Sequence, residues 1–148
     1  MHMPPYDTEA VFVDGFVRAL LADDCPLAST CYTREFGNQT ASRPDVVLVS
    51  RADEVVAIEA KLTRWRDAMQ QAYRNTFFAD RSYVLLPPAI AGRAAEYEDD
   101  FNLRNVGICT FDGEDILVVK PAPRLDPHNI WVREMARELA NKRRHRRA

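Results

Sequence analysis

The stretch Arg43-Pro44-Asp45-Val46-Val47-Leu48-Val49-Ser50-Arg51-Ala52-Asp53-Glu54-Val55-Val56-Ala57-Ile58-Glu59-Ala60-Lys61-Leu62 decides the fold. Two apolar runs rich in Val and Ile, Pro44 to Val49 and Val55 to Leu62, flank the polar segment Ser50 to Glu54, which is the pattern of a β-hairpin. A turn centred near Ala52 opposes Val49 to Val55, Val47 to Ala57 and Asp45 to Glu59. Opposed residues hold their Cβ atoms ~4.5–5.5 Å apart on one face of the sheet. Lys61 lies two residues beyond Glu59 and projects from that same face. The register therefore predicts Asp45, Glu59 and Lys61 on one patch, at the end of the hairpin away from its turn. A slip of one residue would send Asp45 to the other face.

Outward from the hairpin, the pattern predicts helices and strands in alternation. Upstream, a first helix starts at Asp7 or Thr8 as N-cap and carries Val13, Val17, Leu20 and Leu21 at helical spacing, with Phe12 and Phe16 widening the stripe. It ends by Cys25-Pro26. Thr30 to Phe36 reads as a strand and Gly37 to Ser42 as a polar turn. Downstream, Thr63 caps a second helix running to about Phe78, and Ser82 to Leu86 is a buried strand stopped by Pro87-Pro88. A third helix spans Ala89 to Phe101. Val106 to Phe111 and Asp115 to Val119 flank Asp112-Gly113, a hairpin turn. After Pro121-Ala122-Pro123, Asp126-Pro127 open a last helix with Trp131, Met135 and Leu139 four apart on one face. The order is αβββαβαββα, which implies an α/β fold with one central mixed sheet flanked by helices.

The 148 residues suit a single domain, 1–148, and 47% apolar residues against 28% charged ones describe a soluble globular chain with a proper core. No apolar run reaches the ~18 residues of a membrane-spanning helix, and Met1-His2-Met3-Pro4-Pro5 lacks the build of a signal peptide. Three cysteines (Cys25, Cys31, Cys109) with no CxxC pair disfavour a disulfide framework and a zinc knuckle, and a cytoplasmic setting follows. The net charge of −2 conceals an asymmetry. The tail 141–148 carries Lys142, Arg143, Arg144, Arg146 and Arg147. Without those five, 15 basic residues face 22 acids in the body. Such a tail is either a solvated helix end, favoured by the helix dipole, or a contact for a polyanion.

Two carboxyls set side by side in apolar strands repel, and each raises the other's pKa. A plain surface ion pair, Glu59 with Lys61, is worth little and is the simplest account of the charges. Convergence of two acids in an already acidic body favours instead a hard divalent cation, Mg²⁺ or Mn²⁺, bound with room for waters and a phosphate.

Arg43-Pro44-Asp45, a spacer, and Glu59-Ala60-Lys61 resemble the signature of the PD-(D/E)XK nuclease superfamily, and the element order from about Asp7 to Leu86 resembles that family's αβββαβ core. The resemblance implies a restriction-endonuclease-like core, here with an added C-terminal hairpin and helix. It implies a metal-dependent nuclease acting on DNA, in which Asp45 and Glu59 hold Mg²⁺ or Mn²⁺, the Ala60 carbonyl is a further ligand, and Lys61 assists the attacking water. Such nucleases commonly place a glutamate on the first helix. Glu9 matches that position, and equally it complements the helix N-terminus. Many also carry a glutamine on the helix after the E-x-K strand. Gln71, in Met69-Gln70-Gln71-Ala72-Tyr73, matches it and equally reads as a solvent-facing polar residue. Where a subgroup has tyrosine four positions later, this chain has Asn75.

Other chemistries are poorly served. The three histidines (His2, His128, His145) form no His-x-x-x-His, and no glycine-rich phosphate loop is present. Trp65 and Trp131 read as core or interface residues, and Arg64 and Arg66 either reach a phosphate backbone or are simply exposed. The rival to a nuclease is a non-catalytic nucleic-acid-binding or assembly module on the same fold. A homodimer fits a double-strand cutter, and the Trp131 helix offers it an apolar face.

Overall fold

The structure, a computed structural model, describes residues 8–22, 25–36 and 43–147, with side chains described through Lys142. Helix α1 (Glu9–Leu20) begins at Thr8, whose hydroxyl accepts from the Val11 N–H, and buries Phe12, Val13, Phe16, Val17 and Leu20. There follow β1 (Ser29–Arg34), β2 (Val46–Ser50), β3 (Val55–Ala60), α2 (Trp65–Asn75), β4 (Arg81–Leu86), α3 (Pro88–Ala95), α4 (Glu98–Arg104), β5 (Gly107–Phe111), β6 (Ile116–Lys120) and α5 (Ile130–Arg147). The expected turn at Gly37 to Ser42 and the alternative cap Asp7 lie outside the described residues.

Three boundaries differ from expectation. The single helix expected over Ala89 to Phe101 is two, because Tyr97 leaves helical geometry between α3 and α4 and its ring packs 5.0 Å from that of Trp65. Thr63 does not cap α2. Arg64 stands at that position and makes no side-chain capping bond. The last helix starts later than Asp126, with Asn129 Oδ1 accepting from the Val132 N–H.

The six strands lie in chain order, β1 to β6. Pairing is antiparallel for β1–β2–β3, parallel for β3–β4–β5, and antiparallel for β5–β6, so the sheet is mixed as expected. Helix α1 covers one face through Val46, Leu48, Val56, Ile58 and Phe111. The other face carries α2, α3 and α4 over Val84, Leu86 and Ile108, and α5 over Val47, Val55 and Ala57. Because side chains alternate across a strand, β3 sends Val56 and Ile58 to α1, Val55 and Ala57 to α5, and Glu59 towards Asn75 of α2. Gly107 is required by close approach. A Cβ there would lie 2.5 Å from the Tyr83 ring and 2.6 Å from the backbone at Lys120 and Ala122.

Candidate functional site

The β2–β3 ladder runs Val46 to Ile58, Val47 to Ala57, Leu48 to Val56 and Val49 to Val55. This is the register that brings Asp45, one residue before β2, beside Glu59. Asp45 Oδ2 accepts the Ala60 N–H at 2.8 Å, which pins the side chain to the neighbouring strand and sets its carboxyl near enough to that of Glu59 for the two acids to act on each other electrostatically. Glu59 is only 3% exposed, and its Oε1 accepts from Asn75 Nδ2 at 3.0 Å. The pair lies at the carboxyl ends of the parallel strands β3 and β4, where open α/β sheets usually bind their ligands.

Burial is the main force on both acids. It pushes Glu59 up to about 8, Asn75 pulls in the opposite direction, and the negative charge of Asp45 adds to the rise. Asp45 is also raised, first by burial and then by the charge of Glu9, against the lowering effects of the Ala60 N–H and Lys61. Lys61 follows the last residue of β3, and its N–H donates to the Leu85 carbonyl at 3.2 Å. Its ammonium lies 3.8 Å from Glu9 Oε1 and acts on both Asp45 and Glu59. Lys61 thus stands at the rim of the sheet, between the acid pair and the first turn of α1. Asp45, Glu59, Lys61 and Glu9 come together as one cluster.

Gln71 does not join that cluster by any direct bond. It is half-buried, and among the described residues its amide makes no hydrogen bond. Asn75, one turn later and fully buried, supplies the polar contact from α2 to the acids. Its signal in the sequence was a polar side chain continuing the Ala68, Met69 and Ala72 stripe. A buried amide on such a stripe needs a partner.

Among the described residues, no three His, Cys, Asp or Glu side chains converge to hold a metal ion by themselves. The donors at hand are oxygen atoms of two adjacent carboxyls. That set suits a small hard cation that retains most of its waters, and it does not suit zinc. Of the basic tail, Lys142 is exposed, and α5 continues as helix through Arg147. The side chains of Arg143, Arg144, Arg146 and Arg147 lie outside the described residues. Arg64 pairs with Asp67, while the Arg66 guanidinium lies 4.2 Å over the Trp65 ring and 4.9 Å over Tyr97. Trp65 is buried, as expected of a core residue. The three cysteines form no disulfide with one another and are buried, and burial pushes the Cys109 thiol far up, away from reactive thiolate chemistry.

No protein-family model matches the chain, and no curated protein is similar to it. Among solved structures, the chain is similar to a protein of unknown function from Silicibacter pomeroyi, with 22% identity and a TM-score of 0.54 over 78% of this chain and 75% of that one. This likeness shows a shared fold. The chain also aligns with the Pyrococcus furiosus SfsA structure in complex with Ca²⁺, with 11% identity and a TM-score of 0.38 over 78% of this chain and 61% of that one. No helix among the described residues is long and apolar enough to cross a membrane.

Proposed function

We propose that the chain is a metal-dependent phosphodiesterase of the PD-(D/E)XK type, with a restriction-endonuclease-like core, acting on DNA. The observation that carries this reading is the apposition of two carboxyls, buried Glu59 and half-buried Asp45, with a lysine at their rim. Nothing in packing calls for two acids in that position, since replacing buried charge by apolar side chains is often stabilising. Asp45 and Glu59 would hold Mg²⁺ or Mn²⁺, with the Ala60 carbonyl and Glu9 as further oxygen donors. The bound cation would supply Lewis acidity towards the scissile phosphate and lower the pKa of a bound water.

The chain's own residues then divide the remaining work. Lys61 orients the attacking water and stabilises negative charge that develops on the phosphate oxygens. The water oxygen bonds to phosphorus, the bond to the leaving sugar oxygen breaks, and the water's proton departs while the leaving oxygen gains one. Asn75 holds the Glu59 carboxyl in place. Gln71, one turn before Asn75 on α2, would orient water or substrate once these are bound. The basic end of α5 supplies attraction to the polyanion that the acidic body lacks.

The test is incubation with supercoiled, linear, branched and single-stranded DNA, with and without Mg²⁺ or Mn²⁺. Cleavage is expected only with the cation, lost in Asp45→Asn and in Lys61→Ala. The lysine variant should keep its DNA affinity, because its effect is on the transition state. A second reading, an inactive nucleic-acid-binding or assembly module, draws on one observation. Each acid already has a protein donor, Asp45 the Ala60 N–H and Glu59 the Asn75 amide, without any cation. DNA binding that ignores divalent cations, with no cleavage of any substrate, would favour that module.

A further inference from the structure

Tyr97 interrupts the helix that the sequence pattern would carry on to Phe101, and the break places its ring 5.0 Å from that of Trp65. Trp65 in turn stacks on buried Phe101 at 5.8 Å, with an interplanar angle of 26°, so its plane is fixed from within. The Arg66 guanidinium stands 4.2 Å from the Trp65 centroid and 4.9 Å from that of Tyr97. Three nearly equal separations make a triangle, so the guanidinium is not clamped between the rings. It caps both from one side and leaves its outer face to solvent, Arg66 being exposed. Tyr97 is itself 43% exposed. Among the described residues Arg66 makes no hydrogen bond and no ion pair, whereas Arg64 is held by Asp67 at 2.7 Å. A cation–π contact fixes the plane of a guanidinium and uses none of its N–H donors.

This shelf shares an end of the sheet with the acid pair. Trp65 packs in the cluster that holds Leu86, the last residue of β4. Arg66 lies in the first turn of α2, and Asn75, which holds Glu59, is its last residue, ~14 Å away along the helix axis. A planar cation over aromatic rings is a stacking platform for a nucleobase, whose acceptor atoms its N–H groups can meet. The surrounding charge decides between base and phosphate. Glu96 and Glu98 flank Tyr97 in the chain and Asp99 follows, all exposed, so a phosphate is disfavoured there and an uncharged base is not. A base inside a duplex has both faces covered by its neighbours. We propose that Arg66 and Tyr97 form a subsite for one unpaired base of a DNA strand whose phosphate lies at Asp45 and Glu59. Single strands and frayed ends are then preferred to closed duplex. The inference rests on the proposed hydrolysis for its choice of DNA, but the stacking itself needs neither cation nor cleavage.

Fluorescence anisotropy of the full chain in EDTA tests it, with labelled DNA of about a dozen nucleotides as a single strand, as a duplex, and as a single strand made abasic throughout. The wild type is expected to bind the intact single strand most tightly. Arg66→Ala and Tyr97→Ala should each weaken that binding about 5- to 150-fold, the worth of one stacked base, and change abasic binding by less than ~2-fold. Arg66→Lys keeps the charge without the plane and should behave as Arg66→Ala does. Arg64→Ala removes the same charge nearby and should alter binding by less than ~2-fold. Arg66 is exposed, so its variants should melt as the wild type does. A wild type without preference for the unpaired strand, single-strand binding indifferent to Arg66→Ala, or equal losses on intact and abasic strands would each overturn the subsite. Mg²⁺-dependent cleavage by the same variants separates the two claims. Cleavage that survives where the base preference is absent sinks the subsite alone, and the base preference without any cleavage upholds the subsite while sinking the hydrolysis.

Discussion

Two buried acids on the same sheet have opposite surroundings. Asp80, at the start of β4, is 2% exposed, accepts the Val55 N–H at 2.7 Å and is gripped by the Arg133 guanidinium. Glu59, near the end of β3, is 3% exposed and is met by an amide and a second carboxyl, while the nearest cation sits at the rim and is itself 3.8 Å from Glu9. The first acid is neutralised, and it ties α5 to the hairpin. The second is left to protonate or to find a cation from outside. A sheet that can pair one buried acid so completely has no structural need to leave the other exposed to repulsion. The contrast separates a residue placed for stability from one whose charge the fold leaves uncompensated.

The sharpest way to break this comparison is Asp80→Ala. It leaves Arg133 half-buried without its carboxylate and orphans the Val55 N–H, so a loss of ~3–5 kcal/mol is expected in urea unfolding. A loss below ~1 kcal/mol would mean that Asp80 is no better placed than Glu59.

Glu59→Gln should act in the opposite direction. Glu59 has its folded pKa raised from the ordinary 4.5 to about 8, so between those values the folded chain binds more protons than the unfolded one. Stability from this group is complete below pH ~4.5, falls as pH rises, and is exhausted above pH ~8. The glutamine variant should flatten that slope and be more stable than the wild type by ~1–3 kcal/mol at pH 8, while losing any cleavage. Melting curves measured across this pH range decide it, and a variant less stable than the wild type at pH 8 would contradict the assignment.

Divalent cation sharpens the comparison further. At ten to a hundred times its dissociation constant, Mg²⁺ or Mn²⁺ should stabilise the wild type by ~1.4–2.7 kcal/mol, and it should do nothing for Asp45→Asn. Equal shifts in both proteins would place the cation elsewhere. The smallest expected effect is that of Asn75→Ala, with ~1–2 kcal/mol lost with the buried hydrogen bond. Because Asn75 lowers the pKa of Glu59, its removal should also move the pH-sensitive range upward, a shift that a mere packing defect would not produce.

The acid pair was legible in the sequence because a two-residue period leaves little freedom. Once the turn at Ser50 to Glu54 is recognised, Val47 must face Ala57 and Asp45 must approach Glu59. The strands, their order around the hairpin and the helices on both faces followed from the same alternation. Asn75 was not legible, since a helix offers three or four faces and only the packed structure shows which turn of α2 reaches β3. The orientation of α5 stayed open for a related reason. Periodicity found the Trp131, Met135 and Leu139 face and left it as core or interface, whereas the buried partner of Arg133 decides that this face turns outward. Charged anchors at a distance of 53 residues leave no local pattern.

The strand order carries a consequence for how the chain assembles. Every strand from β1 to β6 pairs with its neighbour in sequence, so the sheet can grow one strand at a time, through a tight hairpin at β2–β3 and at β5–β6 and through helical crossovers at the parallel pairs β3–β4 and β4–β5. Helix α5 has to travel back across the sheet to reach β1 and β2, closing contacts such as Cys31 with Asn141, 110 residues apart. Until it arrives, Val47, Val55, Ala57 and Phe78 lack their cover. Docking of α5 is therefore expected as a late folding event, and a chain halted before Asn129 should expose this surface and aggregate, even with its sheet already formed.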